Sequence, residues 1–133
     1  MDVNKLHEFL DKAGYFFIAT TEGNQPRLRP FGAHYPKDGK EYFTVGDKKA
    51  VYRQMIENPL VEIVALTPND MRWLRFTGKA VFEDDDALRE EIFEANPSLR
   101  NEYPADSEQK MALFRLEDAT AKIINPDGSE EIL

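Results

Sequence analysis

At 133 residues, with 41% hydrophobic and 32% charged side chains, the chain has the size of one globular domain, residues 1–133, and too much apolar content for disorder. A net charge of −8 opposes general nucleic-acid binding, and no apolar run approaches the ~20 residues needed to span a bilayer. Cysteine is absent, which removes disulfides, thiolate catalysis and cysteine-ligated zinc, and Met1–Lys5 lacks the basic and apolar pattern of a leader, so a cytoplasmic location is expected.

In chain order, Val3, Leu6, Phe9, Leu10 and Ala13 recur at helical spacing up to Gly14, with His7 off that stripe and expected at the surface. Tyr15–Thr21 reads as a buried strand bounded by glycine turns. Arg27–His34 reads as a second strand, in which Pro30 is awkward because proline cannot donate to a ladder. Lys37-Asp38-Gly39-Lys40 is a hairpin turn into a third strand, Glu41–Val45. Gly46 then permits a sharp turn into a helix expected from Lys48, with Asp47 as its N-cap and an end before Asn58-Pro59. Val61–Leu66 and Arg72–Phe82 are strands around Pro68-Asn69-Asp70, and Trp73, Arg75 and Thr77 share one face of the second. Asp84-Asp85-Asp86 caps an acidic helix through about Ala95, followed by a polar segment of short helix and loop, Ser98–Lys110. Ala112–Leu116 and Thr120–Ile124 are the last strands, before a turn at Asn125–Gly128. Six to seven strands with few helices predict a mainly β protein, an antiparallel barrel whose closure removes exposed edges.

Charge is uneven along this plan. Gln25–Arg53 holds seven Lys/Arg against three Asp/Glu, whereas Glu83–Glu108 holds two against ten. A basic island in an acidic protein suits a small anionic ligand. Lys48 and Lys49 at a helix start, where backbone N–H groups and the helix dipole already favour anions, make a phosphate seat, although two solvated lysines fit the same pattern. Arg29 can converge on them if the second and third strands pair, and Gly32 would let a flat ligand approach the backbone. Trp73 and Arg75 offer an aromatic face and another cation, or else core packing and a solvated strand face. A phosphate joined to a planar ring fits this set. The three serines lie in polar or tail segments, and His7 and His34 are far apart with no motif around either, so neither nucleophilic hydrolysis nor a metal site is expected.

The order of these residues resembles the pyridoxamine 5′-phosphate oxidase family of FMN-binding split β-barrels. The resemblance runs through Thr20–Pro26, Arg29-Pro30-Phe31, Asp38-Gly39, Tyr42-Phe43-Thr44, Lys48-Lys49, Glu57-Asn58-Pro59 and Trp73–Ala80. It implies FMN at the interface of a homodimer. Arg29 and Lys49 would hold the phosphate with help from Lys48; Pro30, Phe31 and Gly32 would lie along the ring; Phe43 and Thr44 would support it. Trp73, with Arg75, would reach the flavin from the partner subunit. His34 matches a position where full-length members carry a lysine. The chain stops at Leu133, short of the stretch that grips the vitamin phosphate in true oxidases, so pyridoxamine phosphate oxidation is not expected. Shorter relatives include general stress proteins, nitroimidazole-resistance-related proteins and deazaflavin binders. The nitroimidazole group ranks lower because Gly46-Asp47 stands where it carries a histidine. The expectation is a flavin-dependent oxidoreductase of unknown small-molecule substrate, NAD(P)H among the candidates, with no catalytic side chain nominated because the flavin carries the redox chemistry. The alternatives are a non-catalytic flavin binder or redox sensor, or a split barrel holding deazaflavin or haem.

Overall fold

The computed structural model describes residues 1–133. Four helices and eight strands follow in the order α1 (Val3–Ala13), β1 (Phe16–Glu22), β2 (Gln25–Phe31), β3 (His34–Lys37), β4 (Lys40–Gly46), α2 (Ala50–Glu57), β5 (Leu60–Thr67), β6 (Arg72–Glu83), α3 (Asp86–Ala95), α4 (Leu99–Glu102), β7 (Met111–Ile124) and β8 (Glu130–Ile132). All strand pairs are antiparallel, in one sheet of order β2-β1-β5-β6-β7-β4-β3, with β8 added to β7. The sheet curls on itself. Phe16 of β1 and Phe43 of β4 lie four strands apart along the path, yet their ring centroids are 5.4 Å apart inside the core. Phe114 of β7 stands a further 5.4 Å from Phe43, and all three rings are fully buried.

The helices form where local chemistry asks for them. Asp2 caps α1 by accepting from Lys5 N–H, and Gly14, at φ 79°, ends it while donating to the Leu10 carbonyl. Leu6, Phe9 and Leu10 are its buried face. Asp85 caps α3 in the same way through Leu88 N–H, and Leu88, Ile92 and Phe93 pack it over Tyr42, Met111 and Leu113.

Several expectations change. The strand expected over Arg27–His34 is broken at Gly32-Ala33, and its halves join opposite ends of the sheet, β2 on β1 and β3 on β4. Pro26 and Pro30 are tolerated because β2 is an edge strand. The helix after Gly46 begins at Ala50 rather than Lys48, and Asp47 is not its cap. Asp47 instead accepts from Lys110 N–H at 2.9 Å and donates its own N–H to the Lys110 carbonyl at 3.0 Å, tying the end of β4 to the chain entering β7. The two strands expected near the C-terminus are one long strand, β7, and the barrel has eight strands because β8 continues after the Asn125–Gly128 turn. A bulge bends β7: Asp118 adopts φ 47°, the β6–β7 register shifts between Thr77 and Lys79, and a Cβ on Gly78 would meet the Glu117 carbonyl at 2.9 Å.

Candidate functional site

The opening between the two ends of the sheet carries the candidate site. β3 stops pairing at His34↔Phe43, so the rest of β4 has β7 on one side and no strand on the other. β2 likewise has only β1 beside it. A cleft of about 530 Å³ occupies this split, within the size range of small-molecule sites. Arg29, Pro30 and Phe31 of β2 form one wall, continued by Gly32 and Ala33; Thr44 and Val45 of β4 form another. Lys49 and Val51 line it from the start of α2, and Asn96, Ser98, Leu99, Glu102 and Tyr103 from the α3–α4 region.

Register explains why Arg29 enters this space. Arg29 pairs with Ile18 and Phe31 with Phe16, so both share the inward face of β1 and β2. The Arg29 guanidinium is held there by neutral partners: Nη1 donates to the Ile18 carbonyl (3.1 Å) and Thr20 Oγ1 (2.7 Å), and Nη2 to Gln54 Oε1 (2.8 Å). Burial foremost, then the charge of Arg27, lowers its pKa, but a guanidinium stays protonated in proteins. Its charge is therefore positioned without being neutralised.

Lys49 occupies the N-cap position of α2 with φ −80° and ψ 153°, and its side chain is exposed. No side chain caps α2, so its first-turn N–H groups lack a side-chain acceptor beside a lysine and an arginine. Gly32 adds space: a methyl there would touch only the Tyr15 ring at 3.6 Å, an ordinary contact. The protein's own packing does not demand glycine at that position, whereas a flat ligand entering the cleft would benefit from it. Tyr103, buried on the α4 side, has its pKa raised chiefly by desolvation, so its hydroxyl remains a neutral donor and acceptor. The chemistry of this donor set fits a phosphate-bearing planar ring.

The cleft thus gathers Arg29, Pro30, Phe31, Gly32, Thr44 and Lys49. The other expected site residues lie elsewhere. Phe43 points into the core, fully buried between Phe16 and Phe114, because strand alternation sends its neighbour Thr44 to the other face. Lys48 is exposed beside the helix start, its carbonyl 3.4 Å from Arg53 Nη1. Trp73 and Arg75 lie on β6, with the Arg75 guanidinium 4.9 Å from the Trp73 ring and Arg75 Nε 3.5 Å from Glu62. Arg75 Nε is buried and has no hydrogen-bond partner. His34 turns away from the cleft towards α1.

Sequence reasoning missed Tyr15 and the α3–α4 contribution. Tyr15 precedes the first strand, and Tyr103 is one aromatic in an otherwise polar stretch, so no periodic signal marked either. A larger cleft of about 700 Å³ beneath α3 also carries arginines, but Arg89 is paired with Asp84 and Asp86, and Arg100 with Glu90. With both arginines bound to carboxylates, Lys110 is its one lining cation without such a pair, which leaves it the poorer anion site.

An antiparallel barrel left open between its end strands, with a cationic cleft in the opening, is a split barrel. The chain belongs to the pyridoxamine 5′-phosphate oxidase family, whose model matches residues 3–124. A NimC/NimA family protein from Clostridium acetobutylicum is similar at 36% identity and a TM-score of 0.91, over 99% of this chain and 91% of that one. The Gly46-Asp47 departure therefore does not separate this chain from that group. A pyridoxamine 5′-phosphate oxidase-related, FMN-binding protein from Nostoc punctiforme shares the fold at 16% identity and a TM-score of 0.60, covering 98% of this chain and 95% of the other. A haem-binding protein from Mycobacterium smegmatis does so at 15% identity and a TM-score of 0.74, covering all of this chain and 57% of the other. No curated protein matches the sequence. No helix is long and apolar enough to cross a membrane.

Proposed function

We propose that this protein binds FMN in the split between β2 and β4 and acts as a flavin-dependent oxidoreductase on a small-molecule substrate. The observation that carries the reading is the convergence of Arg29, Lys49 and the uncapped start of α2 on one cleft that also holds Pro30, Phe31 and Gly32. Arg29 and Lys49 would bind the phosphate by charge-assisted hydrogen bonds. Pro30, Phe31 and Gly32 would orient the ring, and Thr44 and Tyr103 would offer hydroxyls to its polar edge. A bound flavin supplies the redox chemistry, while these side chains place it and exclude water.

A homodimer completes the proposal. Phe17, Leu28 and Leu66 are exposed apolar residues on one outward sheet face, and Leu66 pairs with Trp73. Because Trp73 and Arg75 do not line their own chain's cleft, they are available to a partner's. Haem is the weaker reading: no histidine or methionine lines the cleft, which leaves Tyr15 and Tyr103 as its only side chains of axial-ligand type.

The test is a titration of purified protein with FMN, followed by flavin absorbance and fluorescence. Saturable binding supports the proposal; a protein that binds no flavin overturns it. Reduction of bound flavin by NAD(P)H, followed by reoxidation with a panel of small electrophiles, separates an enzyme from a non-catalytic binder.

A further inference from the structure

The chain has two histidines, His7 on α1 and His34 on β3, and the fold brings both to one place. Their ring centroids are 4.8 Å apart. Two carboxylates bracket them. Asp11, one turn after His7, lies 2.9 Å from His34 Nε2 through Oδ1 and 3.2 Å from His7 Nε2 through Oδ2. On the inner side, Glu41 Oε1 of β4 lies 2.9 Å from His7 Nδ1 and 2.5 Å from His34 Nδ1. The Glu41 side chain is 1% exposed, and its second oxygen, Oε2, is buried with no hydrogen-bond partner.

Proton placement makes this arrangement informative. A neutral imidazole carries one N–H. The Asp11 carboxylate lies beside both Nε2 atoms, so with the proton of each ring on Nε2 both Nδ1 lone pairs face Glu41 Oε1. In that tautomer three lone-pair atoms converge, and a cation can sit between them. With the protons on Nδ1 instead, each neutral ring donates to Glu41 Oε1, and Oε2 remains unpartnered. One divalent cation answers all three lone pairs and can engage Oε2 as well. A buried carboxylate oxygen without a partner costs stability, which a bound cation would offset.

We propose that His7 Nδ1, His34 Nδ1 and the Glu41 carboxylate form a binding site for a divalent transition metal of the zinc class, with Asp11 as the outer partner that orients both rings. Two imidazoles and a carboxylate are a zinc donor set that leaves a fourth position for water. A carboxylate on the far nitrogen of a ligating histidine fixes its tautomer and raises its basicity. The ligand atoms lie within 4.8 Å of one another, and opening the shortest N···O contacts to about 3.3 Å accommodates metal–ligand bonds of zinc length. His7, whose side chain is 26% exposed, has the freedom to move. None of the four residues lines the flavin cleft, so the site stands independently of the proposed function. Its metal would staple α1 to the β3–β4 hairpin.

The composition makes the test specific, because a tag-free chain without cysteine has no other imidazole or thiolate to bind zinc. Chelator-stripped, tag-free protein is titrated with zinc chloride against a chromophoric competitor, and the bound metal is counted after desalting. One zinc per chain, together with a zinc-dependent rise in Tm, is the expected result. His7→Gln and His34→Gln should each weaken binding by at least about tenfold, and Asp11→Asn by about 10- to 100-fold. If His34→Gln fails to fold, His7→Gln, at a partly buried position, and Asp11→Asn, at an exposed one, carry the test. Absence of stoichiometric zinc binding, or binding unchanged in His7→Gln, overturns the proposal. Imidazole NMR showing both rings doubly protonated at neutral pH in the presence of zinc would also overturn it, assigning the cluster to protons.

Discussion

Arg29 is held from three directions by Thr20, Gln54 and the Ile18 carbonyl, while Lys49 stands exposed at the start of α2. The two cations should therefore respond differently to mutation. If the proposed phosphate seat is right, Lys49→Ala removes a ligand contact and little else, so it is expected to weaken FMN binding by about 1–3 kcal/mol with no change in Tm. An unchanged dissociation constant would make Lys49 an ordinary surface lysine. Phe43 behaves in the opposite way. Fully buried among aromatic rings, it is expected to contribute about 3–5 kcal/mol of stability against truncation to Ala. The milder Phe43→Leu should lower Tm yet leave FMN affinity of the folded protein intact. Weakened affinity at unchanged Tm would return Phe43 to the site.

Across elements, one polar network ties three strands together. Glu83 of β6 accepts from Arg115 Nε of β7 (2.5 Å) and from the Tyr42 hydroxyl of β4 (2.8 Å). Hydrogen bonding from Arg115 foremost holds the Glu83 carboxyl below its usual range. A depressed folded-state pKa contributes stability that is fully present above the unfolded value of about 4.3 and is lost as pH falls through the folded one. Acid titration of Tm should therefore show a component below about pH 4.3 that is absent in Glu83→Gln. Identical acid profiles would exclude this network as its source. At the β6–β7 bulge, Gly78 faces backbone that cannot give way, so Gly78→Ala is expected to lose about 1–3 kcal/mol in denaturant unfolding. A neutral result there would mean that the bulge relaxes.

For the whole molecule, the proposed homodimer would use the outward face bearing the exposed Phe17, Leu28 and Leu66. Phe17 is 44% exposed and pairs with Pro30, a cleft residue, so face and cleft are contiguous through one register position. Phe17→Glu should shift the sedimentation of a dimer to that of a monomer and weaken FMN binding with it. A wild-type monomer that binds FMN fully would contradict the dimer. Loss of dimer without loss of FMN would remove Trp73 from the site.

Local chemistry along the chain was enough to place the helices at Val3–Ala13 and Asp86–Ala95, the hairpin at Asp38-Gly39, and the cations Arg29 and Lys49 on strand and helix start. Capping, glycine turns and alternation are short-range effects that a reader of residues can follow. Tertiary structure decided what depends on distant partners. It broke the strand at Gly32-Ala33, since only the sheet's split requires β2 and β3 to part. It took Asp47 from the helix for Lys110, 63 residues later. It also carried the α4 region to the cleft, and it set His7, expected at the surface, against His34 and Glu41. Contacts of that range leave no periodic trace in the sequence, because folding, and not spacing, makes those residues neighbours.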